Sequence, residues 1–363
     1  MTVNHERKIK SFPGQGVGQS LPVISLFCGA GGLDLGFIQA GFTPILAVDK
    51  DRAACVTYEC NHPGVRVLRR DLSSIPKGYV LDRLGELPGT YKPVGVIGGP
   101  PCQAFSQGNK NGAAADPRAD LPYNYAGVLK ELADSYELDF FVFENVLGLK
   151  HKRHIELFEA FKKLFKSAGF SIFEGEVDAQ YFGVAQVRRR LFVVGFNKRK
   201  YPEVDFEFRE DGGKRKKTVR DTIESLPEPV FFERGLHADN IPFHPNHWCM
   251  RPKSRKFFNG YLKEGDLKGR PFRVLRWDKP SWTIAYGHRE VHIHPSGRRR
   301  LSVYEAMLLQ GFPSNYILCG TLSDQIRLVS DAVPPPLAKG LADSIREVIQ
   351  HGKQPIRQGR LFH

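Results

Sequence analysis

Residues 22–49 read PVISLFCGAGGLDLGFIQAGFTPILAVD and combine two kinds of pattern. The apolar run 22–27 leads directly into the glycine-rich segment 28–32, and apolar positions at helical spacing follow it. A second apolar run, residues 44–48, then ends in Asp49. The order of strand, glycine loop, helix, strand and acid predicts one unit of an α/β sheet.

The same rhythm recurs through the first half of the chain. Three further apolar runs, 94–97, 139–143 and 190–196, predict strands, and a helical pattern at 157–165 lies between the last two. Alternating strands and helices predict an α/β fold with a doubly wound, mostly parallel sheet. Ligands of such sheets bind outside the carboxyl ends of the strands, so polar motifs that follow the apolar runs are candidate site residues.

From about Asn197 onwards, prolines and arginines replace this pattern. We therefore expect a flexible N-terminal arm in residues 1–20 and a sheet domain in residues 21–197. A second, smaller and irregular domain should occupy residues 198–315. Residues 316–363 should form a C-terminal segment that returns to the first domain.

The composition narrows the class of protein. The chain has 363 residues and a formal net charge of +14, which attracts polyanions such as nucleic acids, although many basic proteins bind none specifically. No run approaches the ~20 apolar residues of a membrane helix, and the charged N-terminus lacks the apolar core of a secretory signal. The six cysteines form no CxxC pair, so reduced thiols and a cytosolic location are the simplest expectation.

The glycine-rich segment 28–32 predicts a site where a ligand approaches the backbone at a helix N-terminus. Its spacing is not GxGxxG, which counts against an ordinary pyridine-nucleotide site. Asp49, at the end of the next predicted strand, can accept hydrogen bonds from ribose hydroxyls, and Asp71 can do the same for another donor. A tight structural turn flanked by surface acids is the alternative interpretation.

Cys102 follows Gly98-Gly99-Pro100-Pro101 at the end of a predicted strand and opens a polar loop rich in glycine and alanine. Packing explains a cysteine at this place poorly, because buried free cysteines usually lie inside apolar runs. A deprotonated thiol is among the best side-chain nucleophiles. Cys102 is therefore a candidate nucleophile, and an inert thiol is the alternative.

Glu144 ends a strongly apolar predicted strand. Partial burial there raises the pKa of a carboxyl, and a protonated carboxyl can donate a hydrogen bond to a ring nitrogen. The alternative role for Glu144 is that of a helix cap.

In the segment QVRRR at 186–190, strand periodicity puts Arg188 and Arg190 on one face and Arg189 on the other. Two guanidiniums on one face can hold a carbonyl and a phosphate, although such a triplet alone is more often a solvated basic patch.

In this order the motifs resemble those of the cytosine-C5 DNA methyltransferases of restriction–modification systems. The glycine segment is similar to the S-adenosylmethionine motif of that family, PPCQ at 100–103 to its nucleophile motif, ENV at 144–146 to its acid motif, and QVRRR to its QxRxR motif. RRLSVYEA at 299–306 with LQGFP at 309–313 resembles its late core motif, and VPP at 333–335 falls where its last motif falls. The resemblance spans roughly residues 21–349.

The resemblance implies a methyltransferase fold that binds S-adenosylmethionine and methylates C5 of a cytosine flipped out of duplex DNA. The thiolate of Cys102 would add to C6, protonated Glu144 would bind N3, and Arg190 would hold O2, with Arg188 in the same catalytic motif. The residues implied to bind the cofactor are Phe27, Gly29, Gly31, Gly32, Asp49, Lys50, Asp71, Pro101, Leu121, Asp331 and Val333.

The resemblance also assigns roles to the parts of the chain. Residues 21–197 become the catalytic and cofactor-binding domain, and residues 198–315 become the target-recognition domain with the late core motif. Double-stranded DNA is the implied partner, contacted by a closing loop and by a basic stretch of the second domain at Ser106, Arg118, Lys214, Arg215, Lys216 and Lys217. We expect a monomer on DNA in the prokaryotic cytosol or nucleoid, with no obligate protein partner and no membrane.

Two positions depart from the family pattern. Ser330-Asp331 stands where the last motif usually reads Gly-Asn, and we expect the added negative charge to weaken cofactor binding. Lys50 stands where an aromatic residue often follows the ribose-binding acid, and we expect it to contribute only its backbone.

Three alternatives accompany this interpretation. The long variable region disfavours an RNA cytosine methyltransferase of the same fold. The intact Cys102, Glu144 and Arg190 disfavour a catalytically silent DNA-binding homologue. A zinc site is disfavoured because no paired CxxC accompanies its candidate ligands, which are His237, His244, His247 and Cys249.

Overall fold

The computed structural model describes residues 21–89, 91–101, 120–210, 215–268, 272–283 and 292–352. The strands in these ranges are β1 (Leu21–Leu26), β2 (Phe42–Asp49), β3 (Arg66–Arg69), β4 (Gly95–Gly98), β5 (Phe140–Asn145), β6 (Phe170–Asp178), β7 (Gln186–Val187), β8 (Arg189–Asn197), β9 (Val230–Phe231), β10 (Trp248–Cys249) and β11 (Ser281–Trp282). The α-helices are α1 (Gly32–Gln39), α2 (Arg52–Asn61), α3 (Tyr79–Gly85), α4 (Leu121–Ser135), α5 (Ile155–Ser167), α6 (Val219–Ile223), α7 (Val303–Leu309), α8 (Leu322–Asp331) and α9 (Pro335–His351).

Within the described residues, the main sheet has seven strands in the order β3-β2-β1-β4-β5-β8-β6. Strand β8 runs antiparallel to β5 and β6, and the remaining pairs are parallel. The predicted doubly wound, mostly parallel α/β sheet is confirmed. The chain extends from β1 to β2 and β3 on one side, and then crosses to β4 on the other side of β1. This reversal opens a crevice at the carboxyl ends of β1 and β4.

Successive residues of the central strands point to opposite faces of the sheet, and both faces are covered. Phe141 and Phe143 pack with apolar side chains of α4 and α5, such as Leu129 and Phe161. Phe140 and Val142 belong to the core on the other face, which α1 and α9 cover. Burial on both faces explains why these strands read as continuous apolar runs.

The C-terminal helix α9 packs directly against α1. A Cβ on Gly36 would lie 2.4 Å from the Cβ of Ala338, so glycine permits the close approach of the two helices. The guanidinium of Arg346 donates to the carbonyl of Ala40 at 2.8 Å, at the end of α1. Helix α9 is thereby anchored along α1, the helix that follows the glycine loop.

The region that follows β8 contains mostly short elements, held by polar contacts as well as apolar ones. Arg299 and Glu305 form a buried bidentate ion pair, with both N–O distances 2.9 Å. Ser302 caps α7, and Glu305 completes a capping box there. None of the helices described is both long enough and apolar enough to cross a membrane.

Candidate active site

A cavity of about 670 Å³ lies at the carboxyl ends of the central strands. Strand β1 ends at Leu26, β2 at Asp49, β4 at Gly98 and β5 at Asn145. The segments that follow β1, β2 and β4 line the cavity, as does Glu144 of β5. The end of α8 closes the cavity from the opposite side, with Asp331, Ala332 and Val333 in its wall. Motifs far apart in the sequence therefore share one site.

The glycine loop follows β1 with an unusual backbone. Phe27 and Gly29 have φ angles of 55° and 54°, in the left-handed region, and these angles turn the chain away from the sheet. The N–H of Gly29 donates to Oδ2 of Asp49 at 2.9 Å, and the N–H of Asp51 donates to Oδ1 at 2.8 Å. Asp49 therefore holds the loop that follows β1 against the end of β2.

Gly32 lies where the loop meets the C-terminal segment. A Cβ on Gly32 would lie 2.3 Å from the carbonyl oxygen of Val333, a distance that real structures do not tolerate. The cavity wall therefore depends on the absence of a side chain at this position.

The structure brings nearly all the predicted cofactor residues to the cavity. Its lining includes the predicted residues Phe27, Gly29, Gly32, Asp49, Lys50, Asp71, Pro101, Leu121, Asp331 and Val333. Gly31 is different, because a Cβ there would point at the ring of His62, 2.6 Å from Nε2, and at the hydroxyl of Tyr316. Gly31, with φ of 75°, serves the turn and the packing behind it rather than the cavity surface.

The side chain of Lys50 connects two of the segments that line the cavity. Its Nζ lies 3.3 Å from Oδ2 of Asp71, so the two side chains bridge the segments that follow β2 and β3. Two donors on Ser73 also hold the Asp71 carboxylate, and these hydrogen bonds and Lys50 lower its pKa. Asp71 is therefore a fixed anion at the rim of the cavity.

Glu144 is buried at the end of β5. Its Oε1 lies 3.1 Å from Nε of Arg190, and a Cβ on Gly99 would lie 2.6 Å from its Oε2. Burial raises the pKa of Glu144 most strongly, Arg190 and Arg188 act against that rise, and Asp331 adds to it. The carboxyl thus faces Gly99, immediately before the PPCQ segment, and the balance of these influences leaves its pKa above the ordinary value.

Asn145 connects the acid motif to the nucleophile motif. Its Nδ2 donates to the carbonyl of Pro100 at 3.3 Å, and its Oδ1 accepts from the N–H of Val146 at 2.9 Å. Pro101, the last described residue before residues 102–119, lines the cavity with Glu144. The chain leading to Cys102 is therefore held beside the acid.

The three arginines of the QVRRR segment have separate surroundings. Arg190 reaches Glu144, while Arg189 is exposed on the other face and pairs with Glu176 at 2.7 Å. Arg188 is fully buried, and its Nη2 donates to the carbonyl of Ser330 at 2.7 Å. Burial removes Arg188 from contact with a phosphate, and its hydrogen bond links the junction of β7 and β8 to the end of α8.

Some predicted residues fall outside the described part of the chain: Cys102, Ser106, Arg118 and Lys214. Of the remaining basic stretch, Arg215, Lys216 and Lys217 are exposed. Arg215 pairs with Asp221 at 2.7 Å, and the ammonium of Lys216 lies 4.7 Å from the ring centroid of Tyr181. These side chains lie on the surface, where solvent and large anions can reach them.

Two histidines of the candidate zinc site have other partners in the structure. His247 lies between the hydroxyl of Ser302 and the carbonyl of Pro227, and His244 stacks on Tyr304. In the described ranges, no three His, Cys, Asp or Glu side chains converge as metal ligands would.

Sequence reasoning missed six charged residues of the cavity wall, which are Asp34, Asp51, Arg52, Arg69, Arg70 and Arg327. Asp34, in the first turn of α1, is fully buried, accepts from the hydroxyl of Tyr58 at 2.8 Å, and has its pKa raised by burial to about 6. Arg327 of α8 pairs with Asp51 at 2.8 Å. The carboxylate inside the apolar sequence LDLGF was an available signal for Asp34, whereas only folding brings Arg327 to Asp51.

Comparison with known proteins identifies this arrangement. The family model described as C-5 cytosine-specific DNA methylase matches residues 21–347, from β1 to α9. The chain belongs to the C-5 cytosine-specific DNA methylase family. The sequence-based assignment to this family, and with it the prediction of a DNA cytosine-5 methyltransferase, is confirmed.

Two relatives of this methylase match it along most of both chains. It is 33% identical to the type II methyltransferase M.FnuDI of Fusobacterium nucleatum, over 94% of its own length and 100% of the relative. It is 32% identical to the type II methyltransferase M.MthTI of Methanothermobacter thermautotrophicus, over 91% of its length and 98% of the relative.

Solved structures share the fold of the methylase. A candidate DNA modification methyltransferase encoded within an E. coli prophage superposes with a TM-score of 0.75 at 23% identity, covering 91% of the methylase and 100% of that chain. The Dnmt2 methyltransferase of S. pombe gives 0.60 at 18% identity, covering 91% and 99%. At these identities, the likeness establishes the architecture.

Proposed function

We propose that this methylase transfers a methyl group from S-adenosylmethionine to C5 of a cytosine flipped out of a specific duplex sequence, through a transient bond between Cys102 and C6. The observation that carries the proposal is the meeting of Glu144, Arg190 and the PPCQ backbone at the rim of the glycine-loop cavity. An acid, a fixed cation and the approach to a thiol are the groups that this addition needs.

The cavity fits the proposed cofactor in size and in chemistry. Its volume of about 670 Å³ lies within the range of small-molecule sites. Each carboxylate oxygen of Asp49 accepts one backbone N–H and retains a lone pair for a ribose hydroxyl. Gly29, Gly32 and the bridged pair of Lys50 and Asp71 would hold the remainder, and the bound cofactor would supply an electrophilic methyl group on a sulfonium.

In the proposed reaction, the thiolate of Cys102 forms a bond to C6 of the cytosine, and negative charge moves into the ring toward N3 and O2. Protonated Glu144 donates a hydrogen bond to N3, and Arg190 donates to O2. This makes C5 nucleophilic toward the methyl group. Loss of the C5 proton after methylation restores the ring double bond and expels the sulfur of Cys102 as a thiolate.

Arg188 has a supporting role in this scheme. Because its guanidinium is buried and bonded to Ser330, it positions the end of α8 and does not touch the base. C6 is inaccessible inside a duplex, so the target base must leave the stack. Ser106, Arg118 and the basic stretch 214–217 would contact the DNA backbone, with residues 198–315 supplying target recognition.

We infer a restriction–modification role from the relatives, whose printed names call them type II methyltransferases. A modification enzyme of this kind acts on duplex DNA as a monomer in the prokaryotic cytosol, and a net charge of +14 would speed its encounter with DNA.

The test of this function begins with labelled S-adenosylmethionine and separate duplex DNA and RNA substrates. We expect methyl transfer to DNA, and bisulfite sequencing of the product should place every methylated cytosine in one short sequence. Label that enters only RNA, or no nucleic acid, would overturn the proposal.

The covalent step has its own test. A duplex with 5-fluorocytosine at the target should trap a protein–DNA adduct, because fluorine cannot leave C5 as a proton does. Cys102→Ala should abolish the adduct and the methyl transfer, whereas Cys60→Ala, in α2, should retain both. Normal methylation by Cys102→Ala would remove the covalent mechanism.

A further inference from the structure

Asp331 is the last residue of α8 and lies in the wall of the cofactor cavity. The family pattern described above has an uncharged asparagine at this position. The substitution keeps the size of the side chain and adds a negative charge. The charge therefore needs either a partner in the protein or one in the ligand.

The guanidiniums nearest to Asp331 are engaged elsewhere. Arg190 pairs with Glu144 at 3.1 Å, and Arg327 pairs with Asp51 at 2.8 Å. Arg188 donates to the carbonyl of Ser330. Among the residues that the structure describes, the ion pairs of Arg190 and Arg327 are made with these other carboxylates and not with Asp331.

Charged side chains of both signs line the cavity: the acids are Asp34, Asp49, Asp51, Asp71, Glu144 and Asp331, and the cations are Lys50, Arg52, Arg69, Arg70, Arg190 and Arg327. Asp49 also lines the cavity, where its carboxylate is held by two backbone N–H groups and no ion pair. Burial raises the pKa of Asp331, and the nearby Asp49 raises it further. The guanidiniums of Arg188, Arg327 and Arg190 act in the opposite direction and lower it. Asp331 therefore remains a carboxylate of the wall that a cationic ligand in the cavity can approach.

The proposed reaction changes the charge of the ligand in this cavity. The methyl donor carries a sulfonium, an ammonium and a carboxylate, so its net charge is positive. The demethylated product carries a neutral thioether in place of the sulfonium. A carboxylate in the wall attracts the donor, whose net charge is positive, more strongly than the product, whose ammonium and carboxylate charges sum to zero.

We propose that Asp331 makes this methylase select the cationic methyl donor over its demethylated product, a specificity that an asparagine at the same position does not supply. This inference rests on the proposed function, because it takes S-adenosylmethionine as the ligand. It also replaces the expectation that the added charge weakens cofactor binding. The physical consequence is that, at a given ratio of the two ligands, a larger fraction of the protein holds the donor.

The test measures equilibrium binding by calorimetry at pH 8, without DNA and without turnover. The ligands are S-adenosylmethionine, S-adenosylhomocysteine and sinefungin, in which a charged amine replaces the methyl sulfonium. Asp331→Asn should weaken the binding of the two cationic ligands by ~3- to 10-fold, the size expected for one charge in a partly solvated wall. Binding of the neutral product should change by less than about twofold.

Asp134→Asn is the matched control, because it removes one negative charge from the exposed surface of α4, where Asp134 pairs with Lys130. It should leave all three affinities unchanged. An equal loss for all three ligands in Asp331→Asn, or no loss, would overturn the selectivity. If the unaltered protein binds none of the three ligands, the proposed function itself fails, and the two failures are thereby distinguished.

Discussion

Nε of Arg190 lies 3.1 Å from Oε1 of Glu144, and the two residues belong to neighbouring antiparallel strands, β8 and β5. Glu144 is opposite Phe192 in the ladder, so Arg190, two residues away, points from the same face beyond the end of β5. The pair places an acid and a cation side by side where the proposed base would enter.

Glu144→Gln should reduce methyl transfer by about 10²- to 10⁴-fold, because an amide cannot give up a full proton as charge develops in the ring. DNA and cofactor binding should persist, since the size of the side chain is unchanged. Single-turnover rates with labelled donor measure the effect. Glu176→Gln, which changes a carboxylate paired with exposed Arg189, is the matched control and should retain activity. A fully active Glu144→Gln protein would exclude the proposed acid.

Gly32→Ala should disturb the cofactor cavity, because the added Cβ would lie 2.3 Å from the carbonyl of Val333. We expect weaker donor binding and a lower melting temperature. The control is Gly127→Ala in α4, where the structure shows nothing within 4 Å of an added Cβ. That change should leave binding intact and stabilise the helix by about 0.5–1 kcal/mol. Equal behaviour of the two variants would contradict the close approach seen at Gly32.

Arg299→Met should lower the free energy of unfolding by about 3–5 kcal/mol, because it leaves Glu305 buried without its bidentate partner. Arg299 is 4% exposed and Glu305 is 1% exposed, so solvent cannot replace the lost contacts. Urea denaturation provides the measurement. Lys130→Met, which breaks an exposed pair with Asp134, should change stability by less than about 0.5 kcal/mol. If Arg299→Met lowered the free energy of unfolding by as little as Lys130→Met, the pair of Arg299 and Glu305 would have to be accessible to water.

Burial lowers the pKa of His62 to about 4, below its ordinary value of 6.5. Above the ordinary value, both the folded and the unfolded chain are neutral at this ring. As the pH falls from about 6.5 toward 4, only the unfolded chain takes up the proton, so the fold loses stability. Between pH 7 and 5.5 this loss is about 1 kcal/mol for His62.

His62→Gln should therefore show a smaller loss of unfolding free energy between pH 7 and 5.5 than the unaltered chain. Since other buried histidines contribute to the same slope, the difference between the two proteins is the quantity to measure. His237→Gln, on an exposed histidine, is the control and should leave the slope unchanged. An unchanged slope in His62→Gln would contradict the burial of a neutral ring.

Several features of the site were predictable because they follow from local pattern. The apolar runs before Asp49, Gly99 and Glu144 predicted strands, and the rule that parallel strands present ligands at their carboxyl ends placed these motifs in one crevice. The buried environment of Glu144 followed from the apolar strand that precedes it. These inferences need only the spacing of residues along the chain and the geometry of a twisted sheet.

Other features depend on contacts between distant segments. The side chain of Lys50 reaches Asp71 only because β2 and β3 are neighbours. Gly31 faces Tyr316 rather than the cavity because the segment between α7 and α8 packs behind the glycine loop. Arg188 is buried against Ser330 although its sequence resembles a solvated patch. No local pattern specifies which of two similar arginines enters the core.

The amino-acid sequence by itself determined the α/β architecture, the order of the motifs and the family, because strand periodicity, glycine loops and the PPCQ, ENV and QVRRR segments are local properties. Only the tertiary structure decided how charge is distributed in the cavity: Arg190 bound to Glu144, Arg327 bound to Asp51, and Asp331 placed in the cavity wall. The reason is that ion pairing and desolvation depend on distances of a few ångströms between segments, and folding alone sets those distances.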